Sequence, residues 1–515
     1  MSRSVAIFAA ALLAALVSAC SSIDYDYPRE PSYQVVDTEQ TRLGRAQAAA
    51  MPEFPLGESG FYPMADGIDA LAARLLLAQR AEVSIDVQYY LIKNDIVGRA
   101  FVLTLLQAAD RGVRVRLLLD DMFTSGYDIG LAALHAHPNF EIRIFNPFRR
   151  GAAGRAGSAL TEFARINRRM HNKSFTVDNA MTLIGGRNIA DEYFGAREDS
   201  AFGDLDVLAI GPIVRDVSDM FDLYWNHETA LPVPAFVDEL DNPQAALDTL
   251  RSRFEHSLAE FRESKYAAAV RERVYGYIAE DASIFEWAPY RLVYDSPDKG
   301  IKARAGEAAS ITTGLAESLQ GAKHEVIIIS PYFVPLNSGV EWLTAIQAKG
   351  VDITIITNSL AANNQFTVHS GYAPARKPLL EAGVRIWEVR PDATITGTEF
   401  VDASGAKSTL HTKAFIVDRR ETFIGSFNFD PRSANINTEL GVIIEDPELS
   451  TFFAERIDEV STESAYQVFL NQDGKLRWRG WKDGEEVVFD KEPETSWWTR
   501  FKANLVRILP IKRQL

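Results

Sequence analysis

A chain of 515 residues with 47% hydrophobic content is too large and too apolar for a small binding module, and it can bury two packed domains. Its formal net charge of −16 repels a polyanion everywhere except at local basic patches, so no nucleic-acid partner is expected. The single cysteine, Cys20, excludes an internal disulfide and a cysteine-rich metal cage.

In chain order, the first feature is Arg3 followed by an apolar stretch from Val5 to Val17 and the run VSAC ending at Cys20. A basic start, an apolar core and small residues before a cysteine make a lipoprotein leader, and the apolar run is short for a membrane span. Residues 1–19 are therefore predicted to be a signal peptide, with Cys20 the lipidated N-terminus. Ser21 stands where an aspartate would signal inner-membrane retention, which points to the outer membrane, facing the periplasm. Residues 20–66 are polar and proline-bearing, and are predicted to tether the lipid to the body.

Residues 67–230 and 286–470 read as two copies of one unit. Arg111 to Asp121 (RGVRVRLLLDD) parallels Lys349 to Ser359 (KGVDITIITNS), and Phe140 to Pro147 parallels Ala382 to Val389. Glu82-Val83 with Tyr89-Tyr90 parallels Glu325-Val326 with Tyr332-Phe333. The short runs rich in β-branched residues are those of buried strands, and their alternation with helical stretches makes each copy an α/β layer structure. Each copy then carries His-x-Lys-x-x-x-x-Asp: His171, Lys173 and Asp178 in the first, His411, Lys413 and Asp418 in the second. A Gly-rich turn ending in Asn follows each, at Asn188 and Asn428. Both landmarks keep one interval, 411 − 171 = 240 and 428 − 188 = 240, which marks a duplicated half-site. Downstream, DLDVLAIGP parallels ELGVIIEDP, so Asp204 falls opposite Glu439.

Three further stretches have two readings each or a softer boundary. Arg149, Arg150, Arg155, Arg165, Arg168 and Arg169 precede the first motif, as either a solvated face or a contact for anionic headgroups. Residues 231–285 hold PVP and a charged helical run, and read as a helical connection between the copies. Residues 471–515 are Trp-rich and amphipathic: on a helix Trp497, Phe501, Leu505 and Ile508 share one face. Docking of that stripe onto the body is expected; interfacial membrane contact is the alternative, favoured by the tryptophans and terminal cations.

Paired His and Lys residues suit attack on a phosphodiester. One neutral imidazole attacks phosphorus, and the other, protonated, supplies the leaving group's proton and later activates the acceptor. Lys173 and Lys413 match the charge of the five-coordinate transition state without a metal ion or other cofactor. The single residue between His and Lys puts both on one strand face. Asn188 and Asn428 offer neutral donors to the same oxygens, and Asp204 and Glu439 are candidates to hold the second ring nitrogen of each histidine. Asp178 and Asp418 complete the motif, but their odd spacing from the lysines turns them to the opposite strand face, where they support the strand or turn.

These motifs resemble the phospholipase D superfamily over residues 68–460, and RRMHNKSFTVD, GGRNIADEYFGA, TNSLAAN and GSFNFDPRSANINTE resemble bacterial cardiolipin synthases, above all those of type C. The resemblance implies two pseudo-symmetric α-β-α repeats with one active site at their interface, a phosphohistidine intermediate and no metal requirement. It implies transfer of a phosphatidyl group to phosphatidylglycerol from phosphatidylethanolamine or a second phosphatidylglycerol, at a membrane surface. It also implies the catalytic set His171, Lys173, Asp178, His411, Lys413 and Asp418, with His171 the nucleophile. Hydrolysis to phosphatidic acid is the second reading, since water and an alcohol use the same base; a nuclease or an inactive binding protein is the third.

If VSAC directs lipidation, the mature chain begins at a diacylated Cys20 and fractionates with membranes. Metabolic labelling with a fatty acid checks this. Cys20→Ser is expected to abolish the label and leave an uncleaved precursor, and a soluble, unlabelled wild-type chain is the contrary result.

Overall fold

The computed structural model describes residues 23–51, 57–197, 200–276, 284–299, 310–393, 407–482 and 485–507. The predicted leader, Cys20 and Ile508 lie outside the described residues. In chain order the first part supplies strands β1 (Glu58–Met64), β2 (Ser84–Tyr89), β3 (Arg114–Asp120), β4 (Phe140–Phe145), β5 (Ser174–Val177), β6 (Met181–Gly185), β7 (Ser200–Gly203), β8 (Asp206–Ile210) and β9 (Ala230–Pro232). The second supplies β10 (Glu286–Tyr294), β11 (Glu325–Ile329), β12 (Asp352–Asn358), β13 (Arg385–Val389), β14 (Lys407–Leu410), β15 (Ala414–Val417), β16 (Glu421–Gly425), β17 (Leu440–Glu445), β18 (Ala465–Leu470), β19 (Leu476–Lys482) and β20 (Glu485–Phe489).

The two copies form the same sheet. β2, β3 and β4 run parallel, and β5 returns antiparallel to β2 with Ser174 opposite Gln88. The residues just before β5, including His171 and Lys173, therefore lie at the C-terminal end of β2. β6 and β8 follow as an antiparallel meander. In the second copy β11, β12 and β13 run parallel, β15 returns along β11 with Ala414 opposite Ile329, and β16 and β17 follow. In the second copy the parallel strands are apolar on both faces, with Ile328 and Ile355 in one core and Ile327 and Ile356 in another. In the first copy Ile85, Val87, Val115 and Leu117 face the helices, whereas the other face buries the Arg116–Asp86 ion pair. Asp66 caps the Gly67–Arg80 helix by accepting from the N–H groups of Ile68 and Asp69, and Asp95 caps the Ile96–Asp110 helix through Gly98 N–H. Leu71, Phe101 and Leu105 on these helices pack against Ile85, Val87, Val115 and Leu117 of the sheet.

Two strands weld the copies together. β1 lies antiparallel to β8, β10 lies antiparallel to β17, and β1 and β10 pair with each other. The result is one continuous 18-stranded sheet with its pseudo-twofold between β1 and β10. β7 and β14 form a separate parallel pair, one strand from each copy, with Gly203 opposite Leu410. Under the junction one apolar core joins Ile184, Leu205 and Val207 of the first copy to Ile424, Leu440 and Val442 of the second.

Three boundaries read from sequence need correction. The segment 20–66 is not tether throughout: β1 is a central strand, Leu43 is fully buried, and the Ser32 and Glu30 carbonyls accept from Arg116 and Arg143. Its polarity and prolines hid this, since the backbone contacts that hold it need no apolar run. The connection 231–285 is part of the first copy's helical layer, with Leu247, Phe254, Leu258 and Val270 in its core. The C-terminal segment 471–515 begins as sheet, because β18 pairs with β13 and carries β19 and β20 beyond it. The arginine patch is largely spent internally: Arg150 and Arg155 pair with Asp121, Arg169 with Asp120, and Arg149 and Arg165 with Glu162. Among the described residues no helix is long and apolar enough to cross a membrane.

Candidate active site

The two motifs meet at the junction, each held by the other copy's backbone. His171 N–H donates to Thr438 O at 2.9 Å, and His411 N–H donates to Gly203 O at 2.7 Å. The residue before each histidine is pinned from its own copy at the end of the middle parallel strand. Asp120 Oδ2 accepts from Met170 N–H at 2.8 Å, and Asn358 exchanges two 2.9 Å hydrogen bonds with the backbone of Leu410. Asp120 and Asn358 occupy equivalent places in RGVRVRLLLDD and KGVDITIITNS, so the aligned repeat contained the signal for these positioning residues.

The histidine–carboxylate pairs also cross between copies. His171 Nδ1 lies 2.8 Å from Glu439 Oε2, and His411 Nδ1 lies 2.5 Å from Asp204 Oδ2. A carboxylate at Nδ1 makes that nitrogen the proton donor and leaves Nε2 as the lone pair facing substrate. Glu439 is buttressed by hydroxyl donors, Ser426 Oγ at 2.5 Å and Ser433 Oγ at 2.8 Å. The equivalent of Ser426 is Gly186, where a Cβ would come within 2.1 Å of Asp204 Oδ1, so the first copy needs glycine to seat its acid. Lys173 Nζ donates to His171 O at 2.6 Å. Lys413 Nζ likewise donates to His411 O and lies against the ring, 2.7 Å from Nδ1 and 3.1 Å from Nε2, whereas among the described residues none hydrogen-bonds His171 Nε2.

Aromatic rings, which the motif does not include, wall the site. Tyr90 meets the His171 ring edge-on at 4.9 Å, Tyr193 meets His411 at 5.0 Å, and Phe202 stacks on His411 at 5.5 Å. Asn188 Nδ2 donates to the Tyr193 hydroxyl at 2.9 Å. Asn188 and Asn428 each keep a buried amide oxygen without a hydrogen-bond partner. A half-turn of either amide presents NH2 there instead, the form that serves an anion.

Burial dominates the electrostatics. It lowers His171 to about 4 and His411 to about 3; Glu439 and Asp204 oppose the shift, and the lysines reinforce it. Burial also lowers Lys173 to about 7 and Lys413 to about 8, against the pull of the same carboxylates. Burial would raise Asp204, but Lys413 and His411 outweigh it and hold the acid below its ordinary range; His171 and Lys173 do the same for Glu439. With both imidazoles neutral and both ammonium groups charged, the two lysines balance the two carboxylates. The histidines thus rest in the same protonation state, and any difference between them must arise when an anion enters. Among the described residues no group of three or more His, Cys, Asp or Glu side chains is placed to hold a metal ion.

The structure sets Asp178 and Asp418, expected in the catalytic set, apart from the imidazoles. Asp178 accepts from the N–H groups of Glu82, Val83 and Ser84, and Asp418 from those of Lys323, His324 and Glu325, at the opposite strand ends from the histidines. Five residues of extended chain put each roughly 15 Å from its lysine. Each also opens a hairpin turn at positive φ, 49° at Asp178 and 53° at Asp418, a conformation Asp tolerates.

The family described as "Cardiolipin synthase, PLD-like domain" matches residues 75–225 and 315–460. The chain is 40% identical to cardiolipin synthase C of Escherichia coli (strain K12), covering 92% of this chain and 99% of that protein. It is 30% identical to an uncharacterized protein of Helicobacter pylori, covering 95% and 96% of the two chains. Among solved structures, phosphatidylserine synthase of Haemophilus influenzae Rd KW20 covers 92% of this chain with a TM-score of 0.55 at 12% identity, a shared fold.

Asp178→Ala leaves three N–H groups at the start of β2 without their acceptor. It is expected to lower unfolding free energy by about 1.5–3 kcal/mol in urea melts while leaving kcat of the folded enzyme within about threefold. A loss of kcat with unchanged stability would return Asp178 to the catalytic set.

Proposed function

The chain belongs to the phospholipase D-like cardiolipin synthase family, and from that premise we propose that it is a phosphatidyltransferase making cardiolipin through a phosphohistidine. The observation that carries this reading is the pair of buried His–carboxylate contacts, His171–Glu439 and His411–Asp204, with both lysines in the same site. We assign His171 as the nucleophile, because among the described residues none hydrogen-bonds its Nε2, while Lys413 lies against both ring nitrogens of His411. Nε2 of His171 attacks the donor's phosphorus, and the bond from phosphorus to the headgroup oxygen breaks. The proton for that oxygen comes from His411, which takes it from Lys413 as the anionic substrate raises the imidazole's affinity for it. Asp204 stabilises the imidazolium. His411 then removes the acceptor's hydroxyl proton, that oxygen attacks phosphorus, and the P–N bond breaks to free His171. Lys173 neutralises the equatorial oxygens, with Asn188 and Asn428 donating beside it, and the acceptor's proton passes from His411 back to Lys413 to close the cycle.

The acceptor we assign is phosphatidylglycerol, and the donor phosphatidylethanolamine or a second phosphatidylglycerol, so ethanolamine or glycerol leaves. Tyr90, Tyr193 and Phe202 around the imidazoles favour a bound alcohol over water. The lipoprotein leader read from sequence supports placement on the outer membrane, facing the periplasm.

Purified enzyme on liposomes of both lipids is expected to yield cardiolipin with release of the headgroup alcohol, resolved by mass. His171→Ala and His411→Ala should each remove at least about 10^3-fold of turnover, and the double variant little more, because the two act as a unit. Phosphatidic acid without cardiolipin would make the enzyme a hydrolase. A second outcome concerns pH. Turnover needs neutral imidazoles and charged lysines; a lowered lysine loses its proton at lower pH, so kcat/KM should fall as pH rises through the values of Lys173 and Lys413, about 7 and about 8. It should hold on the acid side until the imidazoles near about 4 and about 3 take up protons. A rate still rising above about pH 9 contradicts the assignment of charge to the lysines.

A further inference from the structure

The sequence predicts that the stripe Trp497, Phe501 and Leu505 docks on the body, and the fold reverses this. The Trp497–Val506 helix, capped by Ser496 Oγ accepting from Thr499 N–H at 3.0 Å, does pack on the protein, but through its small residue. Ala503 is buried, and its carbonyl accepts from Ser370 Oγ at 2.7 Å. The apolar side chains are left facing outward, with Trp497 58%, Trp498 64%, Phe501 45% and Leu505 55% exposed. The rings pack on one another: Trp497 stacks on Phe501 at 5.1 Å and meets Trp498 edge-on at 4.5 Å. A self-packed cluster of three large rings on a single-helix face is more apolar surface than solvent contact alone explains.

Charge identifies the occupant. From Trp497 to the end, the sequence holds Arg500, Lys502, Arg507, Lys512 and Arg513 with no acidic residue, in a chain whose formal charge is −16. Tryptophans with Arg500 and Lys502 on one short amphipathic helix, and further cations after it in the sequence, suit the headgroup layer of an anionic bilayer, where ring bodies are buried and cations meet phosphate. An acidic protein partner would supply the charge but not the acyl boundary that two adjacent tryptophans fit. The position agrees. Ser370 belongs to the Phe366–Tyr372 helix, whose first residue, Phe366, is also exposed. That helix follows the loop after β12 in which Asn364 accepts from the Tyr332 hydroxyl at 3.1 Å. Across the site the loop after β3 exposes Phe123, edge-on to Tyr90 at 5.4 Å, and Tyr90 lies against His171. These loops leave the C-terminal ends of the parallel strands, the edge at which both histidines enter.

We propose that the outward face of the Trp497–Val506 helix seats the protein on an anionic phospholipid bilayer, turning the catalytic mouth toward the lipid. This rests on the phosphatidyltransferase reading for its purpose and not for its test. The full chain carrying His411→Ala, which does not turn over, is mixed with vesicles of phosphatidylglycerol bearing brominated acyl chains. Its tryptophan emission should be quenched, and Trp497→Ala/Trp498→Ala in the same background should lose most of that quenching. Any N-terminal anchor is the same in both chains, so the difference belongs to the helix. Phosphatidylcholine vesicles or high salt should weaken the quenching severalfold. Equal quenching in the two chains, or quenching as strong in phosphatidylcholine, overturns the proposal. So does a dimer that dissociates on the double substitution without quenching, which would make a second copy the occupant. In the active chain the double variant should cut turnover on phosphatidylglycerol vesicles about tenfold yet leave turnover of monomeric short-chain phosphatidylglycerol unchanged. Equal loss on both substrates would mean that the helix only supports the fold, and overturns it as well.

Discussion

Everything in this molecule depends on two buried contacts that neither copy can make alone. Glu439 of the second copy holds His171 of the first, and Asp204 of the first holds His411 of the second. A carboxylate moved out of hydrogen-bond reach no longer fixes the ring tautomer, so the junction between copies must hold its geometry. The continuous sheet through β8, β1, β10 and β17 does this, backed by the shared core of Ile184, Val207, Ile424 and Val442. The β7–β14 pair and the Met170–Thr438 bridge stitch the chain again right beside the imidazoles. A hinge between domains would serve many enzymes; here it would dismantle the site.

Four ionisable acids and bases and two imidazoles share a buried pocket, which is expensive unless every charge is matched. Two ammonium groups and two carboxylates cancel, and the imidazoles are kept neutral by burial. A phosphodiester then brings one negative charge into a site where two lysines already point, and the imidazoles gain affinity for protons only at that moment. On the proposed mechanism the difference between nucleophile and acid is built from small asymmetries between nearly equal halves. Each lysine holds the carbonyl of its own histidine but only Lys413 also leans on the ring, and Ser426 braces Glu439 where Gly186 merely makes room for Asp204.

Much of the site was legible in the chain because duplication makes a local pattern conspicuous. The interval of 240 residues paired His171 with His411 and Asn188 with Asn428, and the aligned DLDVLAIGP and ELGVIIEDP picked out Asp204 and Glu439. Strand periodicity put each His and Lys on one face and turned Asp178 and Asp418 away, so their hydrogen bonds to the start of the neighbouring strand follow from odd spacing. Tyr193 and Phe202 escaped notice because a tyrosine or phenylalanine in a loop carries no periodic signal, and only folding sets it against His411. The arginines before His171 had two readings, a solvated face or an anion contact, and most of them are instead paired with Asp120, Asp121 and Glu162, partners that no local pattern announces.

By itself the sequence determined that there are two α/β copies, that in each a His-Lys pair leads into a strand, and which acid corresponds to which. These are relations between neighbours along the chain or between equivalent positions, and both survive in one dimension. Only the tertiary structure decided that each acid serves the histidine of the other copy, since equivalence between repeats is silent about which copy touches which. It also decided that β1, hidden in a polar stretch, is a central strand, because strand pairing is made by backbone groups every residue carries. It decided, finally, that the tryptophans of the last helix face outward. An amphipathic stripe fixes which residues share a face, and packing alone settles whether that face meets protein or solvent; here Ala503 allows the closer approach, and the rings are left outside.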